Sequence, residues 1–115
     1  MLHAHRISFK NAYAGMKWAF FTQPNYRIHF LLSIISIGAG IFYSISNFEW
    51  LTIFMLITIG LVIETVNTAL ECTNDAITTK IKPEIKIAKD VAAGAMLIFA
   101  IGAASIAFII FFPKI

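Results

Sequence analysis

The sequence predicts an all-α integral membrane protein: an N-terminal amphipathic surface helix followed by three transmembrane helices. Three observations point there. Of the 115 residues, 59% are hydrophobic and only 13% are charged, with a mean hydropathy of +0.82; a soluble domain carries about a quarter charged residues. The apolar residues gather into three runs, each long enough to cross a hydrocarbon core of about 30 Å. The basic residues are segregated between those runs. Arg6, Lys10, Lys17 and Arg27 precede the first, Lys80, Lys82, Lys86 and Lys89 separate the second from the third, and only Lys114 falls elsewhere. Basic loops mark the cytoplasmic side, so the N-terminus and the second loop are expected in the cytosol. A chain this short is expected to form one domain, residues 1–115.

Residues 5–23 read as the surface helix. Ile7, Phe9, Ala12, Tyr13, Met16, Phe20 and Phe21 can form an apolar face, with Arg6, Lys10, Asn11 and Lys17 towards the other side; a basic face with aromatics suits the headgroup zone. Pro24 disfavours helix at Gln23 and turns the chain. The first span is expected over 28–46, with Gly38 and Gly40 permitting close helix approach. A short loop without basic residues follows, and Trp50 stands where an interfacial anchor belongs.

The second span is expected over 49–77, 29 residues, or about 43 Å at 1.5 Å each. That exceeds the hydrocarbon core, so one end protrudes or the helix tilts. The third span is expected over 87–112, after a loop broken at Pro83, and its small residues Ala92, Ala93, Gly94 and Ala95 suit tight packing. No cleavable signal peptide is evident, because the first apolar run begins late and lacks a small-residue cleavage site. The single cysteine, Cys72, reads as a small packing residue.

The second span carries the chemistry. Glu64, Asn67, Glu71 and Asp75 step by three, four and four, which confines them to one helical stripe. A carboxylate within a spanning helix is costly, by about 2.5–3.5 kcal/mol at its centre, so such acids point to function. If Trp50 marks one boundary, Glu64 lies inside the lipid edge and Asp75 reaches the headgroup zone. Lys89 and Asp90 open the third span on the same side.

Carboxylates are hard oxygen ligands suited to Mg²⁺, a lysine is a point charge for phosphates, and an acid at the lipid edge can take a proton from a lipid hydroxyl. Together these are parts for phosphoryl transfer, in which positioning and charge neutralisation carry the catalysis. The same residues also admit a non-catalytic bundle, with a polar network fixing helix register, or an ion-conducting protein using the acids as its path. The sequence holds no G-x-x-x-x-G-K-S/T or G-x-G-x-x-G loop, no H-E-x-x-H and no C-x-x-C. His3, His5 and His29 have no evident metal-ligand partners; His29, beside Arg27, reads as an interfacial packing residue or a headgroup contact. The basic loops lack interleaved aromatics and are explained by topology, which argues against nucleic acid as a partner.

At these residues the chain resembles the small prokaryotic diacylglycerol kinase family, which includes the undecaprenol kinases. The family pattern E-x-x-N-S/T-S/A-L/I/V-E-x-x-x-D is met by Glu64, Asn67, Thr68, Ala69, Leu70, Glu71 and Asp75, and the family's A-K-D by Ala88, Lys89 and Asp90. Ser8, Phe9, Lys10 and Gly15, then Asn25, Tyr26, Arg27, Ile28 and His29, look like it as well.

The resemblance implies a homotrimer in the bacterial cytoplasmic (inner) membrane, with active sites at subunit contacts. It implies transfer of the γ-phosphate of MgATP to a membrane lipid alcohol, diacylglycerol or undecaprenol, at the cytosolic interface. By position Glu64 would be the catalytic base and Glu71 a ligand of Mg²⁺ and nucleotide, with Asn67, Asn25 and Arg27 binding substrate or supporting the site. Asp75, Lys89 and Asp90 would lie at the nucleotide, as would the loop residues Lys80, Ile81 and Lys82. One departure stands out. Where some members carry a second metal-ligating glutamate, this chain has Gln23, eight residues after Gly15, which offers an oxygen without a charge. Pro83 looks more like the undecaprenol kinases.

Overall fold

The computed structural model describes the backbone from Leu2 to Ile115 and side chains from Ser8 onward. The contributions expected of Arg6 and Ile7 to the surface helix, and the side chains of His3 and His5, lie outside the described residues. Four helices follow in order: α1 (Leu2–Thr22), α2 (Pro24–Phe42), α3 (Asn47–Ile77) and α4 (Pro83–Phe111), the last closed by a 3-10 turn, Phe112–Lys114. The structure is all-helical among the described residues, and α2, α3 and α4 are each long and apolar enough to cross a membrane.

Two helices begin earlier than hydropathy suggests, α2 at Pro24 and α4 at Pro83. Proline at the first helical position has its φ preset and loses no hydrogen bond there, so each helix gains a polar first turn outside its apolar run. Gln23, the one residue between α1 and α2, is extended at φ −109° and ψ 110°. The elbow is braced from both sides, because the Gln23 amide donates to Ala19 O at 2.8 Å and Arg27 Nη1 donates to Phe20 O at 3.0 Å.

At its far end α2 stops at Phe42, short of the expected 46. The Tyr43 amide bonds Ala39 O at 2.9 Å and the Ile45 amide bonds Gly40 O at 3.1 Å, around Ser44 in the left-handed region at φ 51°. Ser46 then starts α3 with a capping box: the Glu49 amide donates to Ser46 Oγ at 3.2 Å, and the Ser46 amide donates to Glu49 Oε1 at 3.0 Å. Here a Cβ on Gly40 would fall 2.7 Å from Trp50 Cη2, so the missing side chain lets the indole lie on α2. Ile45, Ile53 and Ile110 make a small core at this end. Lys114 Nζ closes it, donating to Glu49 Oε2 at 2.7 Å and Ile110 O at 3.0 Å.

α3 is the central helix, packed on both α2 and α4, while α1 touches α2 and α3 near the elbow. Its 31 residues give about 46 Å. The hydroxyls of Thr52, Thr58, Thr65, Thr68 and Thr73 each donate to the carbonyl four residues earlier, at 2.6–3.0 Å. Such back-bonding lets a polar side chain sit in hydrocarbon with its donor satisfied inside the helix.

Little apolar surface is buried. Among the described residues only Ala19, Tyr26, Ile45, Ile53, Ala92 and Ile110 are buried hydrophobics, and the accessible area is 8609 Å². A water-soluble monomer of this mass exposes about 6,300 Å². The excess is carried by side chains such as Ile34, Phe42, Val91 and Ile98, whose faces suit lipid or other protein. On α1, Phe9, Tyr13, Met16 and Phe21 are exposed, as are Lys10 and Lys17, and among its described side chains only Ala19 is buried. Cys72 is also exposed rather than packed, since its side of α3 meets no neighbouring helix of the same chain.

Candidate active site

The stripe on α3 opens onto a cleft of about 260 Å³ between α2, α3 and α4. Glu64, Asn67 and Glu71 line it from α3, Asn25, Ile28 and His29 from α2, and Ala93 and Met96 from α4. Three residues that are neighbours only through helical periodicity thus share one concave surface with polar groups from the next helix.

Glu64 is the deep end, 4% exposed. It sits 13 residues before the end of α3, about 20 Å along the axis. The group that faces it is His29, whose Nε2 lies 3.6 Å from Glu64 Oε2. One turn earlier on α3, Gly60 lets Phe99 of α4 close in beside this pair. A Cβ there would fall 2.6 Å from Phe99 Cζ and 3.5 Å from His29 Nδ1, so the imidazole and the phenyl ring lie against bare backbone. The two rings are neighbours, with centroids 6.2 Å apart. On the next turn of α2, Tyr26 is buried and its hydroxyl hydrogen-bonds Thr65 Oγ1 at 3.1 Å, which fixes α2 against α3 at the depth of Glu64.

Glu71, two turns beyond Glu64, is exposed at the cleft. Asp75 leaves the cleft and meets α4 instead, where Lys89 Nζ donates to its Oδ1 at 3.0 Å. Asp90 accepts from Lys86 Nζ at 2.6 Å. Both pairs are exposed, so each cation can change partner at little cost. In the loop, the Lys80 amide bonds Thr78 Oγ1 at 3.0 Å, and Lys82 precedes Pro83 as the cap of α4. Ile81 is 94% exposed.

Arg27 and Gln23 also stand outside the cleft lining. Arg27 is engaged with the last turn of α1, and Gln23 Nε2 donates to Thr22 Oγ1 at 3.3 Å. Conversely, the placement of His29 opposite Glu64 escaped sequence reasoning. The available signal was Gly60, four residues before an intramembrane acid, where a glycine marks close approach of another helix. Asn74, buried one residue from Asp75, has an Nδ2 without a hydrogen-bond partner.

The arrangement offers a buried carboxylate, an exposed carboxylate in the same cleft and a cluster of exchangeable cations at the α3–α4 loop. The pattern of the family described as prokaryotic diacylglycerol kinase matches residues 10–111. The chain belongs to the prokaryotic diacylglycerol kinase family. It is a lipid kinase, with ATP as the co-substrate that its family implies. Among its relatives, an undecaprenol kinase of Bacillus subtilis is 38% identical over 108 residues, covering 94% of this chain and 88% of that protein. A diacylglycerol kinase of Synechocystis is 37% identical over 98 residues, covering 84% of this chain but 56% of that longer protein. The family match contains every residue of the cleft and both lysine–aspartate pairs.

Proposed function

We propose that this lipid kinase transfers the γ-phosphate of ATP to the hydroxyl of undecaprenol or diacylglycerol, with Glu64 as the general base. The observation that carries the reading is the shared cleft, in which Glu64, Asn67 and Glu71 stand together with Asn25 and His29. A base must reach the proton it abstracts, and Glu64 lies deep in a spanning helix, where the hydroxyl of a lipid can come and a soluble alcohol has little reason to.

Glu71 is the carboxylate nearer the open end and the side chain on which we place Mg²⁺, with Gln23 as a neutral oxygen donor. Among the described residues no three His, Cys, Asp or Glu side chains converge as a preformed cage. Oxygen donors with one carboxylate fit a magnesium ion whose other ligands are water and nucleotide phosphates. When bound, the ion neutralises charge on the β- and γ-phosphates.

Lys89 and Asp90 with Asp75 would hold the nucleotide end, and residues 80–82 would lie along it. Lys89 turns from Asp75 to a phosphate; Asn67, Asn25 and Arg27 hold the helices and the lipid head in register. The basic residues before α2 and between α3 and α4 favour a cytosolic N-terminus and second loop in a bacterial cytoplasmic membrane. The surplus of exposed apolar area supports a homotrimer, whose neighbouring subunit would wall the open side of the cleft, and α1 would lie at the membrane surface.

The test is phosphate transfer from radiolabelled ATP by purified protein in mixed micelles, with each lipid supplied in turn. Glu64→Gln and Glu71→Gln are each expected to remove nearly all transfer while the protein stays inserted and oligomeric. Normal turnover by Glu64→Gln would remove it from the base role. A non-catalytic bundle would transfer phosphate to neither lipid.

A further inference from the structure

Transfer to a lipid alcohol releases one proton per turnover. As the lipid oxygen bonds to the γ-phosphorus, the bond from that phosphorus to the bridging oxygen breaks and its electron pair leaves on ADP. The hydroxyl proton goes to the base. If the base is Glu64, a 4% exposed carboxyl in the middle of α3 must then lose that proton before it can act again.

The cleft offers few ways out. The Asn25 and Asn67 amides neither gain nor lose a proton at neutral pH, and Ile28, Ala93 and Met96 are apolar. Glu71 is a second carboxylate, but lies two turns along α3, about 10 Å in axial rise. From α4 the aromatic Phe99 faces the imidazole and no charged group does. The Tyr26 hydroxyl is held by Thr65. His29 remains. Its Nε2 stands 3.6 Å from Glu64 Oε2, and its side chain is 19% exposed against 5% for Glu64. The imidazole thus lines the same cleft as Glu64 and is the more exposed of the two. A separation of this size is within reach of a hydrogen bond once substrate tightens the site.

We infer that His29 relays the proton from Glu64 to water in the cleft, returning Glu64 to its carboxylate form after each transfer. The inference rests on the reading of Glu64 as the base. His29 acts through Glu64 and not on the lipid: the carboxyl proton moves from Oε2 to Nε2, and the imidazolium gives a proton up to cleft water. Gly60 and Phe99 hold the ring in the place where it can do so.

The test uses His29→Ala and His29→Gln in the full chain, with oligomeric state and melting temperature checked in detergent. In both, kcat should fall about 100-fold, while KM for ATP stays within about twofold. Imidazole added to the micelles should restore turnover to His29→Ala but not to Glu64→Gln, and the rescue should grow with the basicity of substituted imidazoles. A residue that merely packs would not respond to added base. The relay is overturned if folded His29→Gln keeps the parent kcat and pH profile, or if folded His29→Ala is not rescued. These outcomes are separable from failure of the base assignment. An active Glu64→Gln sinks that assignment, whereas an inactive Glu64→Gln beside a fully active His29→Gln sinks the relay alone.

Discussion

Lys89 Nζ and Asp75 Oδ1 lie 3.0 Å apart and tie the start of α4 to the last turn of α3. The two residues stand 14 positions apart across the α3–α4 loop, and both belong to the set assigned above to the nucleotide. The pair is exposed, with side-chain accessibilities of 43% and 63%. Such pairs contribute about 0.2–1 kcal/mol, so a triphosphate of higher charge can take the lysine over. Lys89→Met is expected to raise KM for ATP at least tenfold, and Asp75→Asn by a smaller factor, since the lysine survives without its guide. Melting temperature should hardly move in either variant. An unchanged KM for ATP in Lys89→Met would show that the lysine does not reach the nucleotide.

Gly60 is the closest approach in the site. Alanine there would drive a methyl group to 2.6 Å from Phe99 Cζ, and overpacking of this kind costs about 1–3 kcal/mol. Gly60→Ala should melt earlier in detergent and lose kcat, because the displaced Phe99 ring no longer packs beside His29 as it does now. Adding Phe99→Leu should recover stability. An unchanged melt for Gly60→Ala alone would mean that α4 yields without cost.

Ser44 holds a left-handed backbone conformation at φ 51° without being glycine. An L-residue there is disfavoured by about 1–2 kcal/mol. Ser44→Gly should therefore raise the melting temperature, though the gain is partly offset by the greater freedom of glycine in the unfolded chain. Activity should stay at the parent level, since the turn lies at the end of the molecule away from the cleft. A lower melting temperature would imply that the serine hydroxyl holds the turn.

Gln23 stands two residues before Asn25, which lines the cleft. Gln23→Glu adds a charge at the head of α2, where the helix dipole also favours it. The Mg²⁺ concentration giving half-maximal activity should fall several-fold. No change would place the residue outside the surroundings of the metal.

The stripe on α3 was legible because helical periodicity is a property of sequence alone: steps of three, four and four put Glu64, Asn67 and Glu71 on one side whatever α3 packs against. The spans were legible as apolar runs for the same reason, but hydropathy marks the part of a helix that meets lipid. The polar first turns from Pro24 and Pro83 carry no apolar signal. His29 beside Glu64, and Lys114 on Glu49 at a separation of 65 residues, depend on how helices cross. No local pattern encodes that crossing. Lys89 was legible as a cation on the same side as the acids, yet which acid it meets depends on the path of the loop.

The elbow at Gln23 has a mechanical meaning. A single extended residue joins α1 to α2, and it is locked by hydrogen bonds from the Gln23 amide to α1 and from the Tyr26 amide back to Gln23 O at 3.2 Å. Two stiff rods coupled through so short a pivot cannot tilt independently. Whatever sets the lean of α2, bilayer thickness included, also steers α1, and the leverage bears on the turn of α2 that carries Asn25 and His29.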